Sequence, residues 1–179
     1  GSRLFSNTTN LLGGHDFANP DHRAKVAGIL GIDEDVIPDG PSWAYDRIIA
    51  GINRGEIRGL WIIATNPVVS YPNQAQLRAA FANLDFLVVQ DGYHPNPTSE
   101  LADLVLPAAI WGEKEGVYTN SERRVGKANP VVTPPGEARP DFDIFLAIAA
   151  ALGLKDELFP QWTSPADAFA EIRTVTKGR

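Results

Sequence analysis

The sequence predicts an α/β protein with a doubly wound, mainly parallel sheet carrying helices on both faces. Three short apolar runs, Gly59–Ala64, Phe86–Val89 and Leu104–Leu106, are bounded by turn residues. Each has the length and unbroken apolar character of a strand covered on both faces. Between them lie helical patterns with short links. Strand, helix, strand, helix, strand in that order implies parallel strands joined by right-handed crossovers.

Residues 1–18 are rich in Asn, Thr and Gly and read as loop. A helix then starts with Asn19 as N-cap and Pro20 at the first helical position, and Gly31 stops it. A second is expected after Pro41 with Ser42 as cap. It places Tyr45, Ile48, Ile49 and Ile52 on one face and closes at Gly55. The first strand follows, and residues 73–84 return to helix with Leu77, Ala80, Phe81 and Leu84 on one stripe. A short helix capped by Thr98 leads from the second strand to the third. From Trp111 to Pro135 the chain is mostly irregular, with an extended piece near Val117-Tyr118. Pro140 opens a helix with Phe142, Phe145, Leu146, Ala149 and Leu152 on one face, ended by Gly153. Ser164-Pro165 starts a last helix through Phe169 and Ile172. The expected division is a loop over 1–18, an α/β domain over 19–153 and a helical extension over 154–179.

A chain of 179 residues, 44% apolar and 21% charged, is an ordinary globular protein with room for a real core. Its net charge of -6 argues against a nucleic-acid backbone or an anionic membrane as the main partner. A local basic pocket from Arg123, Arg124 and Lys127 stays open. The absence of cysteine excludes disulfides, thiolate metal sites and cysteine nucleophiles within the chain. No apolar run approaches the ~20 residues needed to span a bilayer, and no basic-then-apolar leader opens the sequence, which says little about the parent protein. The expected setting is cytoplasmic.

In a parallel sheet the residues after each strand share one edge, where open α/β folds bind ligands. Here they are Thr65-Asn66-Pro67, Gln90-Asp91 and the Trp111–Lys114 segment. An amide, an amide–carboxylate pair and a lysine suit a nucleotide. A carboxylate takes two N–H donors from a guanine edge, and an ammonium meets a phosphate. Structural readings compete at each position. Asn66 before a proline is a good turn residue, and Asp91-Gly92 is a common turn pair. Asp141 in a first helical turn is favoured by the macrodipole alone. Glu113 and Glu115 resemble paired catalytic carboxylates but fit a solvated face better. His15, His22 and His94 lack metal-ligand spacing, and neither G-x-G-x-x-G after a strand nor a P-loop is present.

Several ordered motifs carry a family resemblance: NLLGGHDFANPDHRAKVAGILGI, ATNP, VVQDGYHPNPTSELADLVLPAA, WGEKEGVYTNSERR and PPGEARPDFDI. Together, over roughly residues 5–153, they resemble the large subunit of molybdopterin-guanine-dinucleotide oxidoreductases of the dimethyl-sulfoxide-reductase superfamily. The likeness is greatest to bacterial assimilatory nitrate reductases. It implies most of the third domain of such an enzyme, a Rossmann-like fold incomplete relative to the parent, cradling the guanosine end of a molybdopterin guanine dinucleotide. Carried over by position, the cofactor contacts are Asn66, Gln90, Asp91, Lys114 and Asp141. Glu122, Arg123 and Arg124 are supports.

The resemblance also implies partners: the remaining domains of the large subunit and the nucleotide end of the cofactor. The family's molybdenum ligand and its iron–sulfur cluster need residues this cysteine-free chain lacks, so the chain alone is expected to be inactive and to carry no metal site. Two alternatives stay open. One is the same domain of a formate dehydrogenase or another oxyanion reductase. The other is a stand-alone, non-catalytic nucleotide-binding or interaction domain.

Overall fold

The computed structural model describes residues 10–40, 42–120, 122 and 124–178. The helices are α1 (Pro20–Leu30), α2 (Tyr45–Asn53), α3 (Pro67–Ser70), α4 (Gln74–Phe81), α5 (Asp141–Ala151), α6 (Lys155–Leu158) and α7 (Pro165–Val175). The strands are β1 (Gly59–Ile63), β2 (Phe86–Asp91), β3 (Leu104–Pro107), β4 (Gly116–Thr119) and β5 (Val125–Ala128). The chain divides into two compact units. The first gathers Gly1–Ala44, Gly116–Ala128 and Asp156–Arg179, the second Tyr45–Glu115 and Asn129–Lys155. These units cut across the segment boundaries at 18/19 and 153/154 that the sequence suggests.

The second unit is the α/β body. Its sheet is parallel in the order β1-β2-β3. Ile63 pairs with Gln90 and Asp91 with Pro107, so all three strands end at one edge. Side chains alternate between the faces of a strand, and the two faces here meet different helices. Ile62, Leu87 and Val89 point into a buried core with Ile49 and Ile52 of α2 and Leu77 and Phe81 of α4. On the other face the Trp61 ring lies 5.4 Å from that of Phe145 on α5. Helices thus cover both faces, as expected. The three strands advance in one direction only, one half of a doubly wound pattern.

The first unit packs α1 and α7 around Leu11, Phe17, Val26, Ala27, Ile37 and Val175, and pairs β4 with β5 as an antiparallel hairpin. Asn19 caps α1 as its position predicts, its Oδ1 accepting the N–H groups of Asp21 at 2.9 Å and His22 at 3.4 Å. Gly31 follows with φ 70°, the left-handed conformation that ends the helix at no Cβ cost.

Several expectations need correction. α2 begins at Tyr45, so Ser42 is not its cap, and Pro41 lies outside the described residues. The Tyr45 hydroxyl donates to Pro72 O at 2.7 Å and its ring packs at 4.4 Å on Tyr71, so tertiary anchoring outweighs the local cap signal. β1 is an edge strand: Trp61 and Ile62 are covered on its two faces, but its end residues Gly59 and Ile63 are exposed. The helix expected after Thr98 is one 3-10 turn, Ser99–Leu101. The irregular stretch holds β5, whose short Val-Gly-Lys-Ala sequence carries little strand signal. In α5 the buried residues are Ile144 and Ala149, and Leu152 is exposed. A helix apolar nearly all round gives no stripe to read.

Candidate functional site

The residues after β1, β2 and β3 meet at one edge of the second unit, and two hydrogen-bonded networks organise them. β1 is followed by Ala64, whose φ of 53° is unusual for a residue with a Cβ. Its N–H donates to Gln90 O at 2.8 Å, extending the ladder as the chain turns toward Asn66. Asn66 stands at the N-cap position of α3 but makes no capping bond with its own side chain.

The first network links Gln90, Asp141 and Lys114. Gln90 lies on the α5 face of β2 and is wholly enclosed, at 0% exposure. Its Nε2 donates to Asp141 Oδ1 at 2.7 Å, while its Oε1 has no partner among the described residues. Asp141 opens α5, and its Oδ2 is ion-paired with the Lys114 ammonium. Both of these side chains are about 30% exposed, 28% for Lys114 and 31% for Asp141, so the pair sits at the rim rather than in the core. A turn closed by Glu113 N–H donating to Ile110 O at 2.9 Å carries Lys114 there. The Glu113 carboxylate accepts Ile110 N–H at 2.9 Å, so one acid of the Glu113–Glu115 pair bonds within its own turn.

The second network runs through Asp91, Asn96, Thr98 and Asn66. Asp91 Oδ1 accepts Tyr93 N–H at 3.0 Å and Oδ2 accepts Asn96 Nδ2 at 3.2 Å. Asn96 Oδ1 accepts the N–H groups of Thr98 and Ser99, each at 3.0 Å. Thr98, fully buried, donates its hydroxyl to Asn66 Oδ1 at 2.6 Å and accepts Val68 N–H at 3.2 Å. Because Gln90 and Asp91 are consecutive, the two networks meet at the end of β2.

All five residues singled out from the sequence therefore lie in one unit. Asp141 joins Gln90 to Lys114, and Asp91 and Asn66 are joined through Asn96 and Thr98. Sequence reasoning missed Asn96 and Ser99 and read Thr98 only as a cap. Their one signal was the run of Asn, Thr and Ser around the prolines of HPNPTS, residue types that bond to nearby backbone. Tyr93 and Trp111 flank the edge and are 71% and 77% exposed. The Asn120 side chain accepts the N–H groups of Glu122 and Arg124 at 3.0 and 3.1 Å, and Lys127 lies on β5, so these belong to the first unit. Arg123 lies outside the described residues. Among the described residues no group of three or more His, Asp or Glu is placed to hold a metal ion, and no helix is long and apolar enough to cross a membrane.

A family model described as molybdopterin oxidoreductase matches residues 13–151. The chain is 41% identical to a nitrate reductase of Symbiobacterium thermophilum over 92% of its length and 22% of that protein's. It is 38% identical to the assimilatory nitrate reductase catalytic subunit of Bacillus subtilis, over 94% of this chain and 23% of the relative. It is 46% identical to the F420-dependent formate dehydrogenase subunit alpha of Methanocaldococcus jannaschii, over 67% of this chain and 17% of the relative. Among solved structures, acetylene hydratase from Pelobacter acetylenicus superposes with a TM-score of 0.63 at 24% identity, over 88% of this chain and 23% of that one, a likeness of fold. The chain spans about a fifth of the length of the curated relatives it matches.

Proposed function

The chain belongs to the molybdopterin oxidoreductase family, and from that premise we propose that it holds the guanosine end of a molybdopterin guanine dinucleotide within a larger molybdenum-dependent nitrate reductase. The observation that carries the reading is the meeting of both networks at the end of β2. Donor, acceptor and cation there share the carboxyl edge of a parallel sheet.

The residues present fit such a group. Asn66 Nδ2 has no bond to any described residue and serves an acceptor oxygen. The Lys114 ammonium suits a phosphate, and the Asp91 carboxylate suits the N–H donors of a guanine edge. Gln90 and Asp141 complete the site from beneath, with Gln90 Oε1 an enclosed acceptor still without a donor. The molybdenum–pterin group, when bound, supplies the redox chemistry. This chain's residues bind and orient its nucleotide handle. They do not fit an iron–sulfur cluster, because the chain has no cysteine. The nitrate reductase relatives support reduction of nitrate to nitrite as the activity of the whole protein, with the remaining domains of the larger subunit as partners, and the assimilatory Bacillus subtilis subunit supports a cytoplasmic setting.

A second reading, the same domain in a formate dehydrogenase, is favoured by the 46% identity over 120 residues to the Methanocaldococcus jannaschii subunit. Assaying the longer polypeptide that contains this chain for nitrate reduction and for formate oxidation separates the two. For the site itself, GMP and GDP are titrated against the backbone amide signals of the 179-residue chain. Shifts are expected at Asn66, Asp91 and Lys114. Changes confined to the first unit would overturn the assignment.

A further inference from the structure

Asparagine at the first position of a helix ordinarily accepts a backbone N–H with its own Oδ1. Asn66 does not, and the N–H it would take is already bonded: Val68 donates to the Thr98 hydroxyl at 3.2 Å, from a residue 30 positions along the chain. The Thr98 hydroxyl in turn donates a hydrogen bond to Asn66 Oδ1 at 2.6 Å. That distance belongs to an O–H···O bond and is short for an N–H···O bond, so the oxygen of the amide is the end that faces Thr98. A hydroxyl has one proton, and here it is committed to Asn66 because its oxygen is accepting from Val68.

We propose that Thr98 is the positioning residue of the site: it takes over the capping duty of Asn66 and fixes the polarity of its amide, so that the Nδ2 end, which only donates, is the one presented to an acceptor of the nucleotide. The inference rests on the reading of Asn66 as a ligand contact and adds what sets its direction. With Oδ1 engaged, rotation of the amide by half a turn would break the Thr98 bond and leave the hydroxyl proton facing an N–H group instead of an acceptor. Thr98 is fully buried and held in turn by Asn96, whose Oδ1 accepts its N–H at 3.0 Å, so the hydroxyl has no room to turn elsewhere. Of the oxygens and nitrogens a nucleotide offers, this amide therefore selects an acceptor: a phosphate oxygen, a ribose hydroxyl oxygen or a base carbonyl.

Thr98→Val, Thr98→Ser and Asn66→Ala test the coupling in the 179-residue chain. Without ligand, Thr98→Val is expected to remove the exchange protection of Val68 N–H and to move the Asn66 side-chain amide signals, while Thr98→Ser keeps both. Asn66→Ala is expected to leave Val68 protected, which a conventional asparagine cap would not do. With GDP as probe, Thr98→Val and Asn66→Ala each weaken binding about tenfold, the loss of one hydrogen bond. The double variant is no weaker than either alone, and Thr98→Ser stays within about twofold of wild type. Unchanged Val68 and Asn66 signals in Thr98→Val, or effects that multiply in the double variant, would overturn the proposal. If the wild-type chain binds no GDP, the nucleotide reading of the site fails, and the ligand-free signals alone decide whether Thr98 holds Asn66. Should Thr98→Val not fold, loss of Val68 protection in Asn66→Ala refutes the transfer of capping duty.

Discussion

Lys114 and Asp141, 27 positions apart in sequence, are ion-paired through Nζ and Oδ2, and the other oxygen of that carboxylate accepts Gln90 Nε2 at 2.7 Å. One side chain thus joins a cation at the rim to an amide that is wholly enclosed. Asp141→Ala would strand Nε2 beside an Oε1 that already lacks a partner, and is expected to cost about 2–3 kcal/mol. Asp141→Asn keeps an oxygen for Gln90 and should cost about 1 kcal/mol. Urea unfolding of the two variants checks the ordering; equal losses would mean that the enclosed amide is solvated by water.

The burial map makes a sharper contrast in the core. Leu77 is 1% exposed within the α2, α4 and sheet core, whereas Leu152 at the end of α5 is 66% exposed. Leu77→Ala is expected to lose about 2–5 kcal/mol through lost transfer energy and the cavity left behind. Leu152→Ala should stay within about 0.5 kcal/mol of wild type. Paired denaturant titrations read both.

Gly92 is held to glycine by space. A Cβ there would stand 2.6 Å from Ile110 Cγ2 and 3.3 Å from Ala108 O. Gly92→Ala forces the Ile110 side chain or the turn to move and is expected to cost about 1–3 kcal/mol. The displaced turn would also loosen the Tyr93 N–H bond to Asp91, 3.0 Å in the wild type. Amide exchange at Tyr93, measured beside global stability, shows whether the damage reaches the rim.

Asp167 supplies a pH dependence of known sign. The backbone N–H of Thr163, then its hydroxyl, then the N–H and hydroxyl of Ser164 hold its carboxyl down from 3.8 to about 2. The folded state therefore keeps this carboxylate ionised while the unfolded chain takes up a proton. Its stabilising contribution is complete above about pH 4 and is lost as pH falls toward 2. Asp167→Asn should flatten stability against pH across that window, as followed by thermal melts at several acid pH values.

How legible this was from sequence depends on the range of the forces involved. The parallel sheet could be read because continuous apolar runs and short links are local. The capping of α1 by Asn19 could be read because every partner lies within three residues. The start of α2 could not, since Tyr45 is fixed by Pro72 and Tyr71, more than twenty residues away. At the edge, strand ends located Asn66, Gln90, Asp91 and Lys114 as neighbours. Nothing local marks Thr98 as the partner of Asn66, 32 positions earlier, or shows that Gln90 is covered by α5 while Asp91 is not. The acidic pair Glu113 and Glu115 shows the converse, for a charge pattern has no way to reveal that Glu113 closes its own turn.

The chain passes between its two compact units at Ala44/Tyr45, Glu115/Gly116, Ala128/Asn129 and Lys155/Asp156. A single proteolytic nick at any of these points releases neither unit whole. The shortest uninterrupted stretch containing all of the second unit, Tyr45–Lys155, also carries the β4–β5 hairpin away from the α7 helix it packs on. Truncation libraries that shorten the chain from either end will therefore dismantle the first unit before they isolate the second. A clean excision has to be internal, joining Glu115 to Asn129 through a new turn.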